Sequence, residues 1–230
     1  PYGMVQFTPS YFSKRSGFVI NQLSGGGCEH MGNFPTFPVK GKLKMSPDNI
    51  LNYRINISEE KGHAGYYEAK VQEDIHAKLT VTERTGMASY EYPADQQYGT
   101  VIIGGGISAT PIEQAAIVIT APNKCEGYAE GGNFCGLRTP YKVYFVAEFD
   151  TDALESGTWK RNELKPNTTF AEGEYSGVYF TFDVNKKKNI QYKIGVSYVS
   201  VENARENLKT ENSGWDFLQI QNQAESKWNH

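Results

Sequence analysis

The sequence has 230 residues, 39% of them apolar, and its 23 basic and 26 acidic side chains leave a net charge of −3. A chain of this length can bury a full core, and an all-β sandwich of such a size is commonly one domain. Scattered, mildly acidic charge argues against a nucleic-acid partner, and no apolar run reaches the roughly 18 residues of a membrane-spanning helix.

Taken in order, the chain opens with a short β-like run, Met4 to Thr8, between prolines. Gly17 to Gly32 is the most unusual stretch. An apolar approach, Phe18 to Leu23, runs into Ser24, then Gly25, Gly26 and Gly27, then Cys28, Glu29 and His30. Three successive residues without a Cβ open backbone conformations closed to other residues, at an entropic cost when ordered. Such a run suits a hard turn or a close approach, with the following polar groups presented at a rim. It suits a plain surface loop equally well. It is not a phosphate cradle, because neither G-x-G-x-x-G nor G-x-x-x-x-G-K-[ST] spacing is present and no clear helical pattern follows.

Beyond Pro35 and Pro38, the segment Val39 to Met45 alternates lysines with apolar residues, which predicts a half-exposed strand. Further strands are predicted at Tyr53 to Ile57, Tyr66 to Val71, Ile75 to Arg84, Met87 to Tyr92 and Thr100 to Ile103. Ala116 to Thr120, Lys124 to Tyr128, Lys142 to Phe149, Val178 to Phe182 and Ile190 to Ser200 complete the series. Short strands separated by Gly, Asn, Pro and Asp, with few helical intervals, indicate antiparallel sheets packed as a sandwich. Only the end changes period. Ser200 can cap a helix through Leu208, and Phe217, Ile220, Ala224 and Trp228 recur at the spacing of an amphipathic helix whose apolar stripe needs a cover. The first residue, Pro1, and the helical pattern running to His230 read as a piece cut from a longer protein.

Three cysteines, Cys28, Cys125 and Cys135, make neither a disulfide framework nor a zinc spacing. A hairpin tip at Gly131-Gly132 would set Cys125 opposite Cys135 if centred on Glu130. Centred between the glycines, it would pair Cys135 with Tyr128 instead, so the bond is left open.

Hydrolysis of a glycoside needs a positioned acid and base, typically two carboxyls. Nearly all acidic residues here alternate with apolar ones on predicted strands, where solvated charges belong. Glu29, which follows the glycine run after Cys28, is the exception. His30 beside it and His63, in Lys61-Gly62-His63-Ala64-Gly65, are the turn-borne histidines, and no Ser/His/Asp order or His-rich metal cluster stands out.

Gly3-Met4-Val5-Gln6 with Pro9, followed by Leu23-Ser24-Gly25-Gly26-Gly27-Cys28, resembles the opening of glycoside hydrolase family 92. Members typically read Gly-Met-Val-Gln-x-Ser-Pro and then Leu-Ser-Gly-Thr-Gly-Cys. Gly65-Tyr66-Tyr67, Leu79 to Gly86, Tyr144 to Phe149 and Gly195 to Leu208 extend the likeness in the family's order across the chain. The resemblance is to the family's N-terminal domain.

It implies an all-β, antiparallel β-supersandwich of galactose-mutarotase-like type with a short C-terminal helical segment. Residues 1–230 would form this N-terminal domain, with an (α/α)6 catalytic barrel following elsewhere in the same polypeptide. The family contains calcium-dependent, inverting exo-α-mannosidases whose acid, base and calcium ligands lie mainly in the barrel. The resemblance therefore implies no catalytic residue and no metal in this chain, which is not expected to be active alone. Its partners would be the C-terminal catalytic domain and a mannose-containing glycan, and its location secreted, periplasmic or cell-surface. Gly26, Gly27, Cys28 and Glu29 are the positions expected to reach the sugar. Two departures accompany the match. Where members commonly read Gly-Phe-Ser-His-Thr-His-Leu, this chain has Gly17-Phe18-Val19-Ile20-Asn21-Gln22-Leu23, and the loop threonine is Gly26. Linkage and sugar preference therefore stay open. A free-standing carbohydrate-binding module and a structural adaptor are the alternative functions.

Overall fold

The computed structural model describes residues 3–9, 17–21, 32–48, 56–105, 112–132 and 139–229. Its described strands form two sheets in which every pairing is antiparallel. In chain order the strands are β1 (Thr8–Pro9), β2 (Phe18–Val19), β3 (Thr36–Lys40), β4 (Ile57–His63), β5 (Tyr66–Val71), β6 (Ile75–Val81), β7 (Thr85–Glu91) and β8 (Tyr98–Gly104). They continue with β9 (Ile112–Ala121), β10 (Lys124–Gly131), β11 (Tyr141–Phe149), β12 (Glu155–Lys160), β13 (Glu163–Pro166), β14 (Phe170–Glu172), β15 (Ser176–Asp183) and β16 (Asn189–Ser197). Two helices end the chain, α1 (Val201–Glu211) and α2 (Phe217–Trp228).

The smaller sheet runs β1-β2-β3-β8-β15-β12-β13, and the larger runs β14-β9-β10-β11-β16-β7-β6-β5-β4. Alternation decides which side of each strand is buried. In β16, Ile190, Tyr192, Ile194 and Val196 point into the space between the sheets. In β11 the inward set is Val143, Phe145, Ala147 and Phe149. Phe149 sits at the centre, its ring centroid 4.9 Å from Phe180, 5.0 Å from Phe182 and 5.2 Å from Tyr192. Rings from both sheets thus interdigitate as sandwich packing requires.

The helices cover the outer face of the larger sheet. Ser200 caps α1 by accepting from the Asn203 N–H at 3.1 Å, as the sequence predicts. Ala204 and Leu208 press on Val146, and Gly195 makes the close approach possible: a Cβ there would lie 2.5 Å from the Ala204 carbonyl oxygen. The end of α1 is bolted to the β6–β7 turn. The Glu211 carboxylate accepts from Thr82 Oγ1, from the Arg84 backbone N–H and from Arg84 Nε. In α2, Phe217, Ile220 and Ala224 are buried, with Phe217 and Ile220 packed against Met87.

Several sequence expectations change. Of the apolar stripe of α2, which either the sandwich or a following domain was expected to cover, Phe217, Ile220 and Ala224 are buried here and Trp228 is 50% exposed. The strand expected from Val39 to Met45 is instead Thr36–Lys40, and the run expected from Met4 is a strand only at Thr8–Pro9. Residues 53–55 of the strand expected before Ile57 lie outside the described residues, and β4 extends onward to His63. The strands β12, β13 and β14 were not anticipated. Gly131 pairs with Tyr141, so the connection between β10 and β11 spans 132–140 rather than a tight turn at Gly131-Gly132. Cys125 is a buried free thiol opposite Ile119 and Ala147, six positions from that strand end. Cys135 lies outside the described residues.

Candidate functional site

Gly26, Gly27, Cys28 and Glu29, the residues expected to meet a sugar, lie outside the described residues, as do Gln22 and His30. The structure describes the mount from which they extend. The chain leaves at Asn21 and returns at Gly32, and these ends are joined as a small antiparallel ladder. The Gly32 N–H donates to the Asn21 carbonyl at 2.8 Å, and the Ile20 N–H donates to the Asn33 carbonyl at 3.3 Å. Asn21 Oδ1 adds a further bond, accepting from the Asn33 N–H at 2.8 Å.

Two tyrosines reach this base, Tyr141 from β11 of the larger sheet and Tyr198 from just past the end of β16. The Tyr141 hydroxyl donates to Asn33 Oδ1 at 3.1 Å, and Asn21 Nδ2 donates to the Tyr198 hydroxyl at 3.2 Å. Tyr141 has the parity of Val143 and Phe145 and continues the inward face of β11, whereas Tyr198 is the residue just past the end of β16 and is 39% exposed. Asn21 is 3% exposed and Asn33 is not exposed at all, so polar carboxamides, not aliphatic side chains, close this end of the core. Burial pushes the Tyr198 hydroxyl above its ordinary pKa, while the bond from Asn21 acts in the opposite direction.

The backbone at the loop exit is held in left-handed conformations on both sides of Asn33. Gly32 has φ +86°, which suits glycine, but Phe34 has φ +51°, which costs a residue with a Cβ. The side chain is fixed by full burial against Phe145, 4.2 Å between ring centroids. Packing over-determines a conformation that the phenylalanine would not choose by itself.

Two other departures from the described chain share this end of the molecule. The Gly104 N–H donates to the Pro35 carbonyl at 2.9 Å, just before the chain leaves at Gly105. It returns at Ile112, which pairs with Gly131, which in turn pairs with Tyr141. The ends of segments 22–31, 106–111 and 133–138 therefore converge on one rim, with Asn33 and Tyr141 linking the first to the third.

Other sequence candidates fall elsewhere. His63, at the end of β4, stacks on Tyr66 with 5.2 Å between centroids and lies 3.5 Å from the Glu225 carboxylate of α2. That contact ties a hairpin to a helix. Burial pushes the Cys125 thiol well above its ordinary pKa, which makes it a poor nucleophile. Among the described residues, no three His, Cys, Asp or Glu side chains converge as a metal site, and no helix is long and apolar enough to cross a membrane. Acidic side chains mostly meet basic ones on outer faces, as in Glu148 with Lys124 and Glu126 with Arg205.

Sequence reasoning missed Asn33, Tyr141 and Tyr198. The signal for Tyr141 was available, since the inward parity of β11 extends to it, whereas Tyr198 lies past the end of β16. No local pattern marks Asn33, whose partner Asn21 is 12 positions away. Ile20, one of the departures from the family pattern, is wholly buried in the core.

Fold and rim together define a supersandwich domain of the kind that carries loops at one end of two antiparallel sheets. Residues 1–197 match the glycosyl hydrolase family 92 N-terminal domain, and the chain belongs to that family. A curated relative from Arthroderma benhamiae, an uncharacterized secreted glycosidase, is 25% identical over 94% of this chain and 31% of its own length. Among solved structures, a family 92 glycosyl hydrolase superposes with a TM-score of 0.85 at 21% identity, over 100% of this chain and 33% of that one. A family 92 α-mannosidase from Bacteroides thetaiotaomicron superposes with a TM-score of 0.84 at 24% identity, over 99% of this chain and 34% of that one. The chain thus spans about a third of the length of these relatives.

Proposed function

We propose that this chain is the N-terminal domain of an α-mannosidase, supporting a catalytic barrel and lending its rim segments to a pocket for mannose-containing glycans. The observation that carries the reading is the convergence of three segment ends on one rim, one of them the glycine run, in a chain of this family. The mannosidase named among its structural neighbours supports the substrate class, and the secreted relative supports a location outside the cytoplasm. On this reading Gly26, Gly27, Cys28 and Glu29 shape and contact the sugar site, while the acid, the base and calcium belong to the barrel. Inversion needs two carboxyls about 6.5–9.5 Å apart with room for water between them. The domain's own contribution is placement: a rigid rim that excludes water and fixes hydroxyl contacts.

The test compares the full-length protein with residues 1–230. The full-length protein is expected to hydrolyse an aryl α-mannoside and to lose that activity with a calcium chelator, while the shorter chain turns over nothing. Turnover by residues 1–230 alone, or a full-length protein inert toward every α-mannoside, would overturn the proposal.

A further inference from the structure

The helices leave part of the larger sheet's outer face uncovered. α1 packs on β11 and β16 and α2 on β5, β6 and β7, while neither packs closely on β9 or β14. On this bare stretch Glu172 pairs with Ala116, Ala116 with Tyr128 and Tyr128 with Tyr144. Their strand neighbours Ala171, Ala115, Ala129 and Phe145 are buried, so alternation turns the four outward in one cross-strand row. Phe170 and Val118, paired in the adjacent row, extend the apolar surface, and Phe170 is 54% exposed. Both tyrosines are half-exposed, with ring centroids 6.1 Å apart. The Lys142 ammonium lies 4.0 Å from the Tyr128 centroid and 5.7 Å from that of Tyr144, and meets Glu130 at 3.5 Å. A cation against the rings holds them in place before any ligand arrives. Arg205 of α1 reaches Glu126 of β10 at 2.7 Å and closes one side of the face.

Size and charge decide what such a face can hold. The row spans three inter-strand spacings, about 14 Å. Two rows deep, it offers far less than the roughly 800 Å² that each partner buries in a stable protein interface. Its carboxylates are interleaved with Lys142 and Arg205, so it presents no single-signed field for an ionic ligand. A pyranose has the matching chemistry: an apolar C–H face to lie against an aromatic ring, and hydroxyls that donate to carboxylates and accept from an ammonium. We propose that this outer face is a glycan-binding platform, with Tyr128 and Tyr144 seating the sugar rings and Glu130, Glu172 and Lys142 meeting their hydroxyls. That the glycan contains mannose rests on the function proposed above; the platform itself does not.

The test is retardation of the full-length protein in native gels cast with soluble α-mannan, xylan or β-glucan, with a calcium chelator present to silence turnover. Wild type is expected to be retarded by α-mannan. Replacing both rings, Tyr128→Ala with Tyr144→Ala, should weaken the apparent affinity about fivefold or more with Tm within a few degrees, and the matching pair of Tyr→Phe changes should stay within about twofold of wild type. Should the double alanine variant lose stability, each single alanine variant decides in the same way. Ring-dependent retardation by xylan or β-glucan instead of α-mannan upholds the platform and counts against the mannose reading. Equal retardation of wild type and alanine variants overturns the platform, as does a wild type that none of the three polysaccharides retards. Self-association that the alanine changes abolish, with no polysaccharide bound, overturns it in favour of a protein contact.

Discussion

The Lys193 ammonium donates to the carbonyl oxygen of Asn212, 3.0 Å away, from a side chain that is only 4% exposed. It also meets the carbonyls of Ser213 at 3.2 Å and Gly214 at 3.5 Å, and lies 4.3 Å from the centroid of the Trp215 ring. A cation is thereby set against the carbonyls just past the C-terminal end of α1, where the helix dipole favours it. This one side chain of β16 latches the whole α1–α2 junction to the sheet.

The latch predicts a pH dependence. Burial lowers the Lys193 pKa from the ordinary 10.5, against the opposing pull of Glu148. Between the lowered folded value and 10.5 the unfolded chain binds more protons than the folded one, so this group's contribution to stability rises with pH. Below that window its contribution is constant and unfavourable relative to an unburied lysine. Lys193→Met is expected to destabilise by about 1–3 kcal/mol through the lost charged hydrogen bonds. The gap between wild type and variant should widen as pH is raised toward 10.5, which urea unfolding midpoints at a series of pH values would show. A constant gap would mean that the lysine keeps its ordinary titration in the fold.

The apolar stripe of α2 divides unequally. Phe217 is 8% exposed and packs on Met87, whereas Trp228 is 50% exposed. Phe217→Ala is expected to cost about 3 kcal/mol, and Trp228→Ala less than about 1 kcal/mol despite the larger side chain removed. Urea unfolding of the two variants checks the order, and equal losses would contradict the burial.

What could be read beforehand follows from where the physics is local. The inward residues of β11 and β16 are spaced two apart, and the Ser200 cap lies beside its helix, so periodicity and chemistry were enough to find them. The strands β12 and β13 hid because their residues are mostly polar or half-exposed, and only Trp159 among them is a large, wholly buried side chain. Trp228 fits the helical repeat, but a repeat records the helix and not what covers each of its residues. Of the rim, the glycines and the inward parity of Tyr141 in β11 were legible. The burial of Asn33 depends on Asn21 and on Tyr141, 108 positions away, and no pattern along the chain encodes that meeting.

At Gly195 the sheet and α1 leave no space for a side chain. A Cβ would stand 2.5 Å from the Ala204 carbonyl oxygen and 2.8 Å from Leu208 Cβ, both fixed by the helix. Gly195→Ala is expected to destabilise by about 1–3 kcal/mol as α1 is pushed outward. Gly214→Ala, where nothing lies within 4 Å, should stay within about 0.5 kcal/mol of wild type. Denaturant titration separates the two. A neutral Gly195→Ala would show that α1 rides further from the sheet than the structure places it.

The glycine segment carries the last prediction. Glu29 follows Gly25, Gly26 and Gly27, and its mount is the ladder between Asn21 and Gly32. A carboxylate there can accept hydrogen bonds from sugar hydroxyls, and a charged acceptor contributes about 1.5–3 kcal/mol. Glu29→Gln keeps the shape and removes the charge. In the full-length protein it is expected to lower kcat/KM for an α-mannoside about tenfold or more, which corresponds to about 1.4 kcal/mol, with Tm nearly unchanged. Gly26→Ala is expected to lower kcat/KM as well, because a Cβ closes backbone conformations that a glycine run leaves open. The rival account makes the segment a tight corner with a solvated acid at its end. It requires wild-type kinetics for Glu29→Gln and a loss of stability alone for Gly26→Ala, and that pair of results would remove Glu29 from the sugar site.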